Sequence, residues 1–425
     1  MKKILTFILI FALSLITFGC DFFGPITTTL TEIEDTEPEV WLTVSNEEEL
    51  RSMDVTKSYR LTTDIDLDGA EWTPIGSYNN PFSGWFDGDG HTISNYVITK
   101  KNNDYNGLFG VATGNIKNLT ITNFSISYNS GFLTYAGGLV GHMTGDIDQV
   151  SVSGNIDIRN TESNSYVGLL SGFQTAFLSE TLTVTQFVAG EVTNVSAKGT
   201  ISIDGQNFVY VGGLVGKAYN VHFNNASAEV EIQAVSRNFR AYVGGLIGHN
   251  FGGILINYAE IVDTVDISIE NSYANSVISV ASEGTWTSVG GLIGYNQYGI
   301  IVNSYAFSEV TLISDDRYYV AGLIGEDWFG TIKNSVATIQ VTSTDSLSES
   351  ESLHVSGLIA SINAQSVITN SYFKIHYDGL LKTTAGSIVS SSDLILLTWY
   401  QTILTWDDNE VINTAITILS QVDNS

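Results

Sequence analysis

The sequence predicts an all-β protein, a parallel β-helix or solenoid of about eight coils, with short N- and C-terminal caps containing minor helix. Three observations carry that expectation. The first is repetition. Tyr242-Val243-Gly244-Gly245-Leu246-Ile247-Gly248 has near copies at Tyr210-Val211-Gly212-Gly213-Leu214-Val215-Gly216, Val289-Gly290-Gly291-Leu292-Ile293-Gly294, Val320-Ala321-Gly322-Leu323-Ile324-Gly325 and Ala136-Gly137-Gly138-Leu139-Val140-Gly141. Gly107-Leu108-Phe109-Gly110 is a shorter copy, and Tyr166 to Gly172 and Gly357 to Ala360 are drifted ones.

The second observation is spacing. The residue before each repeated Leu falls at 107, 138, 169, 213, 245, 291, 322 and 357, mostly about 31 apart, with two steps longer by roughly 14. A second marker follows each glycine turn: Asn118, Asp148, Asn194, Asn225, Asn271, Asn303, Asn334 and Asn370. Both long steps gain their extra residues between the glycine mark and this marker, about residues 173–193 and 249–270. Insertions confined to one point of a repeat are what a stacked coil tolerates, because only a turn can leave the stack.

The third is local pattern. Segments such as Asn303-Ser304-Tyr305-Ala306-Phe307-Ser308-Glu309-Val310 alternate polar and apolar residues and are rich in β-branched and aromatic types. No apolar period of 3.6 persists, which excludes helical repeats. Equivalent strands in successive coils then pair in parallel about 4.8 Å apart, giving a rod on the order of 40 Å long. The glycines serve turns that need φ > 0 or leave no room for a Cβ.

The N-terminus reads as a bacterial export signal. Met1-Lys2-Lys3 and the apolar run Ile4 to Phe18 give a basic region and a short hydrophobic one, too short for a spanning helix. Thr17-Phe18-Gly19-Cys20 resembles a lipobox, with Thr where Leu is usual. Residues 1–19 are therefore assigned as a lipoprotein signal peptide and Cys20 as the lipidation site. The competing reading is an incidental Cys beside an ordinary cleavage site. Cys20 is the one cysteine of the chain, so intramolecular disulfides are excluded. Residues 20–40, acidic and Thr-rich, read as a tether.

Residues 41–106 are assigned to an N-terminal cap and first coil. Ser45-Asn46-Glu47-Glu48 has capping-box spacing and opens a helix to about Met53. Tyr59 to Leu67 alternates like a strand. Asp64-Ile65-Asp66-Leu67, Trp72-Thr73-Pro74-Ile75-Gly76 and Phe86-Asp87-Gly88-Asp89-Gly90-His91-Thr92-Ile93 lead into the Gly-Leu-Phe-Gly unit. This combination, over roughly residues 41–376, resembles bacterial surface proteins with GLUG-motif repeats. Similar repeats occur in adhesin-like secreted proteins and before some immunoglobulin A-cleaving metallopeptidases. The resemblance implies a surface-exposed β-solenoid at 107–376 and implies no catalysis. Residues 377–425 are assigned to a C-terminal cap, with Ser391-Ser392-Asp393 opening a short helix and Trp406 and Ile412 supplying apolar surface.

Charge narrows the partners. With 17 basic and 45 acidic residues and a net charge of −28, the chain is ill-suited to nucleic acid, whose phosphates need clustered Lys and Arg. Anionic membrane surfaces would repel it, so attachment rests on the lipid at Cys20. The expected partners are that membrane and an extracellular glycan or protein, at the bacterial cell surface.

Motifs for chemistry are sparse. Asp64-x-Asp66-x-Asp68-Gly69 begins like an EF-hand, but Ile75 stands where the bidentate Glu belongs. Asp64, Asp66, Asp87 and Asp89 remain candidate calcium ligands against the ordinary reading of aspartates bonding their own turns. The six histidines, at 91, 142, 222, 249, 354 and 376, form no H-E-x-x-H, and no nucleophile elbow or phosphate-binding loop is evident. Tyr135, Tyr166, Tyr210, Tyr242 and Tyr319 hold equivalent places, with Ser288 and His354 completing the column. Stacked one coil apart, they are either a sugar-contacting strip or a structural ladder, and the ladder is the reading adopted. The functional expectation is a non-catalytic lipoprotein scaffold for adhesion or ligand display, without a cofactor. The alternative is a polysaccharide-degrading β-helix enzyme using acids near the insertions: Glu180, Glu191, Glu260, Asp263 and Asp266.

Overall fold

Each coil contributes one strand to each of two eight-stranded parallel sheets, and one long strand or two shorter ones to a third. A computed structural model of the chain describes residues 37–100, 104–176, 189–252, 254–257, 260–264, 267–283, 286–314, 317–343, 352–377, 386–388, 400–401, 403–404, 406 and 409–419. The signal peptide, Cys20, most of the tether, Glu180, Asp266 and the segment Ser391 to Trp399 lie outside them. The coils belong to the unit Glu39–Ser425.

The first sheet holds eight strands, from Tyr105–Asn106 through Val209–Gly212 and Ala241–Gly244 to Leu353–Ser356. The second also holds eight, from Phe109–Ala112 through Val215–Tyr219 and Ile247–Phe251 to Ile359–Ile362. The eight coils are the eight glycine marks. The third sheet collects the long strands, such as Gly190–Gly205 on Val221–Ser236, in register from Gly190↔Val221 to Gly205↔Ser236.

The repeated Leu is the core residue of every coil. Leu108, Leu139, Leu214, Leu246, Leu292, Leu323 and Leu358 are all fully buried. Burying each stabilises by about 1.5–3 kcal/mol. The glycines before them serve close approach rather than left-handed backbone, since none of the repeat glycines has positive φ. A Cβ on Gly245 would stand 2.1 Å from the Gly291 carbonyl oxygen of the next coil.

The left-handed residues are instead the asparagines of the second marker. Asn194, Asn225, Asn271, Asn303, Asn334 and Asn370 have φ between 49° and 55°, a conformation Asn tolerates better than other non-Gly residues. Their amides form a ladder, Asn370 donating to Asn334 at 2.9 Å and Asn334 to Asn303 at 3.3 Å. In the second coil the left-handed residue is Gln149 (φ 54°), not the expected Asp148. Asp148 stands one place earlier and accepts from Thr193 and Asn194 at 2.7 and 3.0 Å. A second polar chain runs inside the coil: Asn250 donates to Asn296 at 2.9 Å and Asn296 to Asp327 at 2.6 Å. Burial pushes the Asp327 carboxyl above its ordinary range.

At the N-terminal end the cap continues the same stack. Leu42–Val44 pairs with Tyr59–Leu61, which pairs with Phe86–Asp87, which pairs with the first long strand. The expected strand from Tyr59 to Leu67 is two pieces, Tyr59–Leu61 and Ile65–Asp66. The helix is Glu47–Arg51, capped by Asn46, whose side chain accepts from Glu49 N at 3.0 Å. The capping box is thus one residue later than expected, Ser45 N–H bonding the Glu49 carboxylate at 2.7 Å.

The C-terminal segment differs more. Ser387–Ile388 adds a short rung to the last long strand, but Tyr400, Leu404, Trp406 and the helix Asn409–Leu419 lie against the outer flank of the third sheet. There Tyr400, Leu404, Trp406, Ile412 and Ala415 bury themselves with Tyr305, Phe307 and Val336, and Trp406 donates its ring N–H to the Asn334 carbonyl at 2.9 Å. The fifth-coil insertion leaves the stack as an antiparallel hairpin, Ile254–Asn257 with Glu260–Thr264.

Candidate functional site

Two columns of side chains flank the glycine turn. The first is the expected tyrosine column, in register as Tyr105, Tyr135, Tyr166, Tyr210, Tyr242, Ser288, Tyr319 and His354. Tyr105 was missed because its coil lacks the Tyr-Val-Gly context. Ring centroids stand 4.8, 4.6, 4.7 and 5.4 Å apart from Tyr105 to Tyr242, with planes within 17°. Stacked this closely, the rings spend their faces on one another, which leaves no face for a sugar to stack on.

The second column, unforeseen from the sequence, comes from the other side of the turn: His142, Phe173, Lys217, His249, Tyr295 and Glu326. Its signal was present as the third residue after each repeated Leu. Absent Cβ atoms bring the two strands together, since one on Gly248 would lie 2.5 Å from Gly216 O and 2.6 Å from Val211 N. The columns therefore interleave, with Tyr242 5.5 Å from His249 and 5.2 Å from Tyr295.

Where Ser288 interrupts the first column, an ion pair bridges the gap. Arg240, two coils away, reaches Glu326 at 3.5 Å and donates to the Tyr242 hydroxyl at 3.3 Å. Ser288 donates to the same carboxylate. Trp286 stacks on Tyr319 at 4.3 Å. Glu326 is 3% exposed, and burial pushes its carboxyl upward.

Lys217 has a different setting. Its Nζ lies 5.2 Å from the Tyr210 ring and 5.9 Å from the Phe173 ring, and burial lowers its pKa. Beside it, His249 is 8% exposed and neither ring nitrogen has a hydrogen-bond partner.

A second constellation sits where both insertions enter the third sheet. Glu191 pairs in register with His222, and Glu191 N–H bonds Asp146 at 2.8 Å. His222 Nδ1 accepts from Ser268 N at 3.1 Å, which places the ring proton of the neutral form on Nε2. Glu191 keeps an exposed side chain, yet desolvation and then the charge of Asp146 push its carboxyl up to about 7. Glu260 and Asp263 belong to the hairpin strand Glu260–Thr264.

The calcium candidates each have other occupation. Asp64 accepts from His91 and Thr92 N at 3.1 and 2.9 Å. Asp66 accepts from Asp68 N and Asn95 at 2.9 and 2.7 Å. Asp87 pairs with Arg60 at 2.9 Å and accepts from Asp89 N and Asn118. Asp89 itself occupies a left-handed turn position, φ 49°. Among the described residues no three His, Cys, Asp or Glu side chains gather as a metal ion would need.

This geometry defines a class, a three-sheet parallel β-solenoid built from tandem coils. Within it, residues 287–311, most of one coil, match the GLUG motif. A crystal structure of a candidate immunoglobulin A1 protease from Bacteroides ovatus is similar at 20% identity and a TM-score of 0.48, covering 84% of this chain and 86% of that one. No curated protein matches the chain.

Proposed function

We propose that this GLUG-repeat β-solenoid is a lipid-anchored, non-catalytic scaffold at the bacterial cell surface, serving adhesion or ligand display. The observation that carries the reading is the hairpin Ile254–Asn257/Glu260–Thr264, which leaves a rigid stack at the point of the repeat where the sequence spacing also puts the extra residues of the third coil. Loops grouped on one corner of a rigid frame are a common binding arrangement. The acidic body favours solubility of a strand-rich rod by like-charge repulsion. Cys20 holds the anchor. Among the described residues no helix is long and apolar enough to cross a membrane.

The test has two arms. Replacing Cys20→Ser should shift the protein from the membrane to the soluble fraction, and retention in the membrane would overturn the lipid anchor. Residues 41–425, applied to glycan and host-protein arrays, should bind without turnover, and shortening either insertion should abolish binding. Binding unaffected by both deletions would overturn the corner as contact surface.

A second reading rests on Glu191. A carboxyl held near neutrality beside Asp146 and His222 suits general acid–base work on a polysaccharide. Turnover of any array ligand, lost in Glu191→Gln, would establish it in place of the scaffold.

A further inference from the structure

Lys217 is an anomaly of charge. The chain has 45 acidic against 17 basic residues, and the neighbouring cation Arg240 is paired with Glu326. Lys217 has no carboxylate partner among the described residues, and its half-buried stem runs between aromatic rings. Its rung neighbour His249 is a second anomaly: 8% exposed, with both ring nitrogens unpartnered. A buried N–H donor without an acceptor is destabilising. A buried, unpartnered imidazole one rung from an ammonium that has no carboxylate partner among the described residues points to a missing acceptor.

We propose that Lys217 and His249 form an anion receptor on the flank of the solenoid, taking the carboxylate of an acidic sugar of the uronic acid type. The ammonium supplies a charge-assisted hydrogen bond and the imidazole a second donor about 4.8 Å along the axis. Half-buried Tyr210 adds a phenol hydroxyl that has no hydrogen-bond partner among the described residues, suited to a sugar hydroxyl. The aromatic walls of Phe173, Tyr210, Tyr242 and Tyr295 lower the local dielectric and strengthen both bonds. An acidic peptide is a poorer fit. The strands Val209–Gly212 and Val215–Tyr219 are paired on both sides, so no backbone edge remains for a peptide to extend. Lys217 stands on a coil without an insertion, while its rung neighbours Phe173 and His249 stand where the two insertions begin, and the receptor requires none of the inserted residues beyond those strands.

The experiment is calorimetric titration of the full-length protein at neutral pH with D-glucuronate, D-glucose and glutarate. The expected result is saturable binding of glucuronate, none of glucose, and weaker binding of glutarate. Lys217→Met should weaken glucuronate at least about tenfold while keeping the far-UV spectrum, and Lys217→Arg should restore part of it. His249→Phe keeps the ring stack and should also weaken binding. Failure of the wild type to bind glucuronate, or equal binding by Lys217→Met, would overturn the receptor. Equal affinity for glucose would overturn the role of the charge, and equal affinity for glutarate the assignment to a sugar. Because these variants change strand residues and leave the hairpin Ile254–Asn257/Glu260–Thr264 in place, their failure leaves the adhesive reading standing.

Discussion

Gly245→Ala tests the physical claim on which the stack depends. Its added Cβ would stand 2.1 Å from Gly291 O, 2.8 Å from Ser276 Oγ and 2.9 Å from Ala274 Cβ, where ordinary contact begins at 3.4 Å. The Gly291 oxygen is backbone and cannot rotate away, so neighbouring coils must separate by about 1 Å. Overpacking of that kind costs about 1–3 kcal/mol. The separation also stretches the bonds from Gly245 N to Gly290 O and from Leu246 N to Leu292 O, now 3.2 and 2.9 Å, each contributing about 1 kcal/mol. The expected loss is therefore about 3–5 kcal/mol, large beside a typical domain stability of about 5–15 kcal/mol. Gly90→Ala is the control. Gly90 has φ +81° and nothing within 4 Å of its built Cβ, so only the left-handed backbone penalty of about 1–2 kcal/mol applies. Urea unfolding followed by far-UV circular dichroism measures both, with hydrogen exchange at Leu246 and Leu292 locating the damage. If Gly245→Ala destabilised no more than Gly90→Ala, close approach of the coils would not be the reason for the glycines.

Three further outcomes follow from the same structure. Asn334→Gly should destabilise by about 1–2 kcal/mol through two lost ladder bonds, and Asn334→Ala by about 1 kcal/mol more, because φ 49° suits Gly and not Ala; urea midpoints decide. The Glu191 carboxyl is raised from 4.5 to about 7 in the fold. Its contribution is therefore fully present below the unfolded value and is lost as pH rises through about 7. Glu191→Gln should flatten the stability profile between about pH 5 and 8, and an unchanged profile would contradict the shift. Trp406→Ala should weaken docking of the C-terminal segment by about 3–5 kcal/mol. Limited proteolysis should then cut that segment first while the strand signal persists.

The repeat period made much of this protein legible. In a solenoid each residue meets its equivalent one coil on, so sequence spacing is also spatial adjacency. That is why Leu246 could be read as core, Tyr135, Tyr166, Tyr210 and Tyr242 as one column, and the fifth coil's extra residues as leaving the stack at a turn. Even there, a single-residue offset hid Gln149 behind Asp148, and Asn46 behind Ser45, because marker and cap identities are settled by backbone angle and not by residue type. Contacts between different sheets recur from coil to coil, but the period does not say which residues across the turn meet. Whether residues 242 and 249 stand side by side depends on how sharply the glycine turn bends and how closely Gly248 approaches Val211. The interleaved second column, the Arg240–Glu326 bridge across the Ser288 gap and the unpartnered Lys217–His249 pair all follow from that approach. The placing of Trp406 on a flank is set separately, by the apolar surface of Tyr305, Phe307 and Val336 that it covers. The sequence by itself determined the coil and its axial neighbours through periodicity, and the tertiary structure decided what meets across the turn, because that distance is set by backbone bending and packing.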